Sequence, residues 1–207
     1  METQPVYSNE DYRYIISQVV DRYATGYVKE DSKKEWVFLL NDLIRYFRSL
    51  AVNYQSDFEN DSFKWLLRNI KLRHSRLIMY SGLLTLIAEG SKERKDKVTL
   101  LQKNLLMTPL ERIAWVYQQN KDWNFYRIAG LYDVFLSYLN DPDLRNKLLS
   151  ETDQENTSEK NIYEQRYANP TFSNLKANSD SLIAELLRFT LGQRGNWTER
   201  FFEYLIF

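Results

Sequence analysis

The chain has 207 residues, with 28 Lys+Arg against 28 Asp+Glu, no Cys and a single His. Balanced charge excludes a global field that steers a protein to nucleic acid or anionic lipid, and the lack of Cys excludes disulfides, thiolate zinc sites and a Cys nucleophile. Hydrophobic residues at 43% are ample for a packed core, while six Gly and four Pro are few for a sheet protein joined by tight turns, so helices with short polar connections are expected.

The opening residues Met1-Glu2-Thr3-Gln4-Pro5 are acidic and lack an apolar h-region, so no signal peptide is expected. Ser8 with Asp11, and Ser32 with Glu35, approximate the spacing at which a helix N-terminus caps itself. They open helices expected over 9–29 and 32–54. In the second of these Trp36, Leu39, Leu40, Leu43, Phe47 and Leu50 recur at helical spacing. A long third helix follows over 61–89, carrying Phe63, Leu66, Leu67, Ile70, Leu77, Ile78, Leu84 and Ala88 on one stripe. Its apolar run, Leu77 to Ala88, is interrupted by Ser81 and Gly82 and falls short of the ~20 residues of a membrane span. A cytoplasmic protein is expected.

Further helices are expected over 92–106, 109–120, 122–139 and 142–150. Thr108-Pro109-Leu110-Glu111 offers a cap hydroxyl, a proline at the first helical position and a carboxylate two positions later, and Asp141-Pro142 repeats the cap-then-proline order. The stretch 150–161 is polar, acidic and free of apolar residues, and reads as a solvated loop or hinge. Two short helices, 179–192 and 197–206, close the chain. The expected fold is all-α: an irregular multi-helix bundle with the long third helix central and a short C-terminal helical pair. Its organisation is a main body over 1–150, a loop over 151–178 and a C-terminal segment over 179–207 that docks on the body or a partner.

Chemistry-bearing motifs are few. With no Cys and one His, a metal site would have to be built from carboxylates, and the Glu and Glu-x-x-His sets of di-iron bundles are absent, so no metal and no cofactor are expected. Gly192-Gln193-Arg194-Gly195 lacks the lysine-serine continuation of a phosphate loop. The richest segment is Lys64 to Arg76, where Lys64, Arg68, Lys71, Arg73 and Arg76 occur without an acid. Lys64, Arg68 and Lys71 share one helix face, extended by Ser75. As a solvated flank, this ridge would pair with Asp57, Glu59 or acids on neighbouring helices. As a functional surface, it would contact phosphate or RNA.

His74 falls on the apolar stripe between Ile70 and Leu77, where a lone histidine is expected to hydrogen-bond a backbone carbonyl or a polar partner in the core. The string Arg68-Asn69-Ile70-Lys71-Leu72-Arg73-His74 also resembles the short motif of HEPN ribonucleases, an all-α family, in its arginine, following polar residue and later histidine. That resemblance implies metal-independent RNA cleavage in a cleft between two protomers, with His74 as general acid/base and Arg68 stabilising the phosphate. On an unbroken helix the two residues stand about 120° apart, so convergence requires a break between them, and the sequence carries none.

Two features point to assembly. Gly82 lies within a strongly apolar helix, where it costs ~1 kcal/mol against alanine unless another backbone approaches closely. The chain ends Trp197-Thr-Glu-Arg-Phe-Phe-Glu-Tyr-Leu-Ile-Phe207, an apolar terminus that must be buried within the chain or against a partner. Gly82, Trp197, Phe201, Phe202, Tyr204, Leu205 and Phe207 are therefore the candidate interface. The expected function is a helical protein–protein interaction or assembly module, acting as a homo-oligomer or a subunit of a larger complex. The alternative is a nucleic-acid-binding or HEPN-like ribonuclease. A bundle holding a small apolar ligand is a third possibility that no motif favours.

Overall fold

The computed structural model describes residues 8–24, 36–60, 62–93, 95–150 and 169–206, without the side chains of 55–60, 62–64, 149, 150 and 206. All regular structure among them is helical, and the fold is all-α. No described helix is long and apolar enough to cross a membrane. The expected cap at Ser32 and Glu35, the stretch 151–168, the Lys64 side chain and Phe207 lie outside the described residues.

Helix α1 spans Asn9–Tyr23 and is capped as expected, the Ser8 hydroxyl accepting from the Asp11 N–H. It stops short of the expected 29, ending where the Ala24 N–H bonds the Val20 carbonyl. Helix α2 is Val37–Asn60. The long third helix is interrupted: α3 (Ser62–Lys71) passes through a π-helical turn, Leu72–Arg76, into α4 (Leu77–Gly90). Helix α5 is only Lys97–Asn104; turns and bends occupy 91–93 and 95–96 before it, and Lys97 Nζ donates to the Ser91 carbonyl at 3.3 Å.

Helix α6, Pro109–Gln119, has the reciprocal cap that Thr108 and Glu111 promised. The Thr108 N–H donates to Glu111 Oε2 at 2.6 Å and the Glu111 N–H to Thr108 Oγ1 at 3.3 Å. Lys121 then adopts a positive φ of 55°, and Asp122 Oδ1 accepts from the Asn124 N–H. Helix α7 thus begins at Phe125 rather than 122 and runs to Asn140. Helix α8, Pro142–Ser150, is capped by Asp141 Oδ1, which accepts from the N–H groups of Asp143 and Leu144.

Helix α9, Pro170–Gly192, starts nine residues before the expected 179, so 170–178 are helical and not part of a loop. Asn169 is its cap, accepting from the Phe172 N–H at 2.9 Å. A short 3-10 turn, Gln193–Gly195, leads to α10, Glu199–Ile206.

The chain compacts into two units, each drawn from separate stretches of the sequence. The first draws on Met1–Phe47, Ile78–Phe125 and Arg188–Phe207, the second on Arg48–Leu77 and Tyr126–Leu187. In the first, α1 packs on α5, and Trp36, Leu86, Ile87, Leu101, Leu105 and Ile113 are buried. In the second, α3 packs on α8, and Trp65, Leu66, Ile70, Phe135, Leu148, Phe172 and Leu175 form one apolar cluster. Each fully buried Leu, Ile or Phe of this kind contributes about 1.5–3 kcal/mol.

Candidate functional site

His74 sits at the centre of the π turn. Leu72-Arg73-His74-Ser75-Arg76 contains no Gly or Pro, so propensity does not break the helix here. In an α-helix the Ile70 carbonyl would accept from the N–H of residue 74. Here it accepts from His74 Nδ1 at 2.8 Å. The Leu77 N–H reaches back five residues to the Leu72 carbonyl, sharing itself with the His74 carbonyl.

The other ring nitrogen is also committed. Asn178 Nδ2 donates to the Leu131 carbonyl at 2.8 Å and lies 3.1 Å from His74 Nε2. A carbonyl needs a donor, so this nitrogen is the amide NH₂, and Nε2 must accept from it. The imidazole is therefore the neutral Nδ1–H tautomer. Its ring stacks on Phe135 at 4.3 Å between centroids, with 4° between planes. Burial lowers the His74 pKa to about 4; the hydrogen bond to Ile70 opposes that shift and the Arg73 charge adds to it.

Arg68 does not join this arrangement. One wide turn changes the helical phase by about one residue, or ~100°, which leaves Arg68 and His74 more than ~100° apart around the axis. The break that convergence requires is present, then, but it turns the imidazole into the core. A buried ring with both nitrogens bonded has no atom left for a substrate proton, and a pKa near 4 is poorly matched to neutral pH.

Within the cationic segment, Arg73 is tied to α9 of the second unit. Arg73 Nε donates to Ser179 Oγ at 2.7 Å, and its Nη2 is paired with Asp180 on α9. Lys176 Nζ holds the other Asp180 oxygen at 2.8 Å. Burial raises the Asp180 pKa, but the Lys176 hydrogen bond and the Arg73 and Lys176 charges outweigh it and hold the carboxyl below its usual value. Arg68 and Arg76 are half-buried, and Lys71 is exposed. Ser75 Oγ lies 3.4 Å from the Tyr132 hydroxyl.

Three of the seven candidate interface residues pack inside the first unit. A Cβ on Gly82 would stand 2.5 Å from the Pro109 carbonyl oxygen, so the start of α6 makes a close approach there. Trp197 and Phe201 are buried within the chain, while Phe202, Tyr204 and Leu205 are half-buried.

Two features escaped the sequence. Glu89 is buried, and its Oε2 accepts from Trp197 Nε1 at 3.0 Å and Asn120 Nδ2 at 2.9 Å, while Lys92 Nζ pairs with Oε1 at 2.8 Å. Its signal was an acid directly after the apolar run Leu77 to Ala88. Arg112 is also buried, with Nη2 donating to the Leu105 carbonyl at 2.8 Å and no partner for Nε or Nη1. Nothing local marked it, since its neighbours Glu111 and Ile113 read as an ordinary helical start. Among the described residues no group of three or more His, Asp or Glu could hold a metal. No protein-family model matches the chain, and neither a curated protein nor a solved structure shows significant similarity to it.

Proposed function

We propose that the chain is a helical assembly module, acting as a homo-oligomer or as a subunit of a larger complex in the cytoplasm. The observation that carries this reading is the large apolar side chains left in solvent on the helices and on the connection between α6 and α7. In the first unit Trp123 is 76% exposed, and Tyr14, Ile15 and Phe38 are exposed beside it in rank. In the second unit Val52 and Tyr126 are similarly open. Single exposed hydrophobics are ordinary, but Trp and Tyr are the residues that interfaces enrich. His74 and Arg73, by contrast, bond within the chain.

Sedimentation equilibrium of the full chain over a wide range of loading tests the reading. A mass that rises with concentration, or a partner retained through purification, supports it; one chain's mass at every loading and no retained partner overturns it. We do not retain the ribonuclease alternative, because the residue it needs as acid/base is buried and bonded at both nitrogens. Cleavage of end-labelled RNA in EDTA that is lost in His74→Ala would reinstate it.

A further inference from the structure

We infer that His74 and Asn178 form an acid-operated latch between α7 and α9, closed while the imidazole is neutral and opened when it takes up a proton. The closed state is the one seen. His74 Nδ1 donates to the Ile70 carbonyl at 2.8 Å, and Nε2 accepts from Asn178 Nδ2 at 3.1 Å. The same amide nitrogen gives its second proton to the Leu131 carbonyl at 2.8 Å, which ties α9 to α7. One NH₂ group thus serves the ring and the neighbouring helix together.

Protonation makes that arrangement untenable. The imidazolium carries a donor at both nitrogens and has no acceptor left. Nδ1–H keeps the Ile70 carbonyl, but Nε2–H now meets the Asn178 NH₂, donor against donor. Turning the amide over brings Oδ1 to Nε2 and restores that bond. The oxygen then stands where Nδ2 stood, 2.8 Å from the Leu131 carbonyl oxygen, acceptor against acceptor. Neither orientation of Asn178 satisfies the charged ring and Leu131 at once. Either the two helices part at this point or a charge is left without its bond. The second outcome is the costlier, because the ring is buried and stacked on Phe135. Asn178 is half-buried, so water reaches the Leu131 carbonyl once the amide leaves it.

No acid among the described residues takes the place of Asn178 as acceptor. On the π turn, the Arg73 charge opposes protonation of the ring. The remaining ionisable groups of α3 and the turn, Lys64, Arg68, Lys71 and Arg76, are cationic as well. On α9, Arg73 and Lys176 hold the two oxygens of Asp180, and Glu185 is paired with Arg127 of α7. On α7, Asp133 is exposed and the Tyr132 hydroxyl lies by Ser75. Helix α8 adds Leu148 to the cluster around Phe135, while its Asp143, Arg145 and Lys147 are exposed. In the closed state the ring takes its proton near pH 4, against the ordinary 6.5 of a solvated imidazole. The ratio of open to closed therefore rises as the pH falls below 6.5 and levels off below 4, by at most about 300-fold.

The composition makes both halves of the latch observable in the full-length chain. As the only histidine, His74 gives one imidazole signal in a proton NMR titration. With no cysteine present, exposed Val134→Cys on α7 and Ser181→Cys on α9 carry a pair of spin labels that report the distance between the helices. A longer separation is expected to grow in step with the His74 signal as the pH falls, before the chain unfolds, and to be absent in His74→Gln. Asn178→Asp gives the imidazolium a charged acceptor and is expected to raise the pH at which the signal is half-shifted by about 1–3. A separation that stays constant while His74 titrates overturns the latch, as does a step that survives in His74→Gln. A His74 signal that moves only when the chain unfolds, or an Asn178→Asp signal that titrates where wild type does, overturns it equally.

Discussion

Burial takes from the His74 imidazole the water that would solvate a positive charge, and the Asn178 amide supplies a donor where a protonated Nε2 would also need an acceptor. Its pKa in the folded protein is about 4, against the ordinary 6.5. Between those values the unfolded chain binds the proton more tightly. The stability that neutral His74 contributes is therefore complete above pH 6.5, falls as the pH drops, and is lost once it passes about 4. The difference is on the order of 3 kcal/mol. Urea midpoints measured across pH 4–7 are expected to fall more steeply for wild type than for His74→Gln, which cannot titrate. Parallel curves for the two proteins would mean that His74 takes up no proton on unfolding in this range. Arg73, which adjoins His74 in sequence, is held by Asp180 over that range, because the carboxyl's own pKa lies below its usual value.

Arg112 presents the opposite problem. It is charged, buried and bonded only through Nη2, and burial lowers its pKa while Tyr12 and Glu111 act against that shift. Replacing an uncompensated charge by an apolar side chain of similar length removes two unsatisfied donors at the loss of one hydrogen bond. Arg112→Met is expected to raise the thermal midpoint, corresponding to about 1–3 kcal/mol. A lower midpoint would mean that the Leu105 carbonyl bond outweighs both orphaned donors.

Among the elements, the junction of α4 with α6 is the tightest described. Gly82→Ala would gain ~1 kcal/mol of helix propensity but must place a methyl group 2.5 Å from a backbone oxygen, which cannot swing aside as a side chain would. Net destabilisation of about 1–3 kcal/mol is expected in chemical denaturation, and a stabilised Gly82→Ala would show that α6 moves freely. The need for glycine there was legible in the sequence, but not which backbone demanded it. Helix starts were legible where cap and proline adjoin, at Thr108-Pro109 and Asp141-Pro142. Asn169-Pro170 carries the same signal, obscured by the long polar stretch that precedes it. The π turn had no such mark: its segment carries no Gly or Pro, and the residues that hold the His74 ring, Phe135 and Asn178, lie far along the chain.

At the scale of the molecule, the chain's last residues complete a unit whose other parts lie far earlier in sequence. Trp197 packs edge-on against Phe189 at 5.8 Å, Phe189 stacks on Tyr117 at 3.7 Å, and Phe201 packs edge-on against Trp197 at 5.4 Å. Trp197 also satisfies Glu89, so removing the terminus would strip both an apolar layer and a hydrogen bond from a buried carboxylate. The two losses differ in size. Trp197→Phe keeps the layer and forfeits the bond to a charged acceptor, at about 1–3 kcal/mol. Deletion from Trp197 onward forfeits the whole layer and bares Phe189 and Tyr117 to water. The deleted chain is expected to melt well below Trp197→Phe and to aggregate during purification, with light scattering as the readout. A deleted chain that stayed monodisperse at the wild-type midpoint would show that α10 rests on the first unit without stabilising it, and the terminus would again be free to serve a partner.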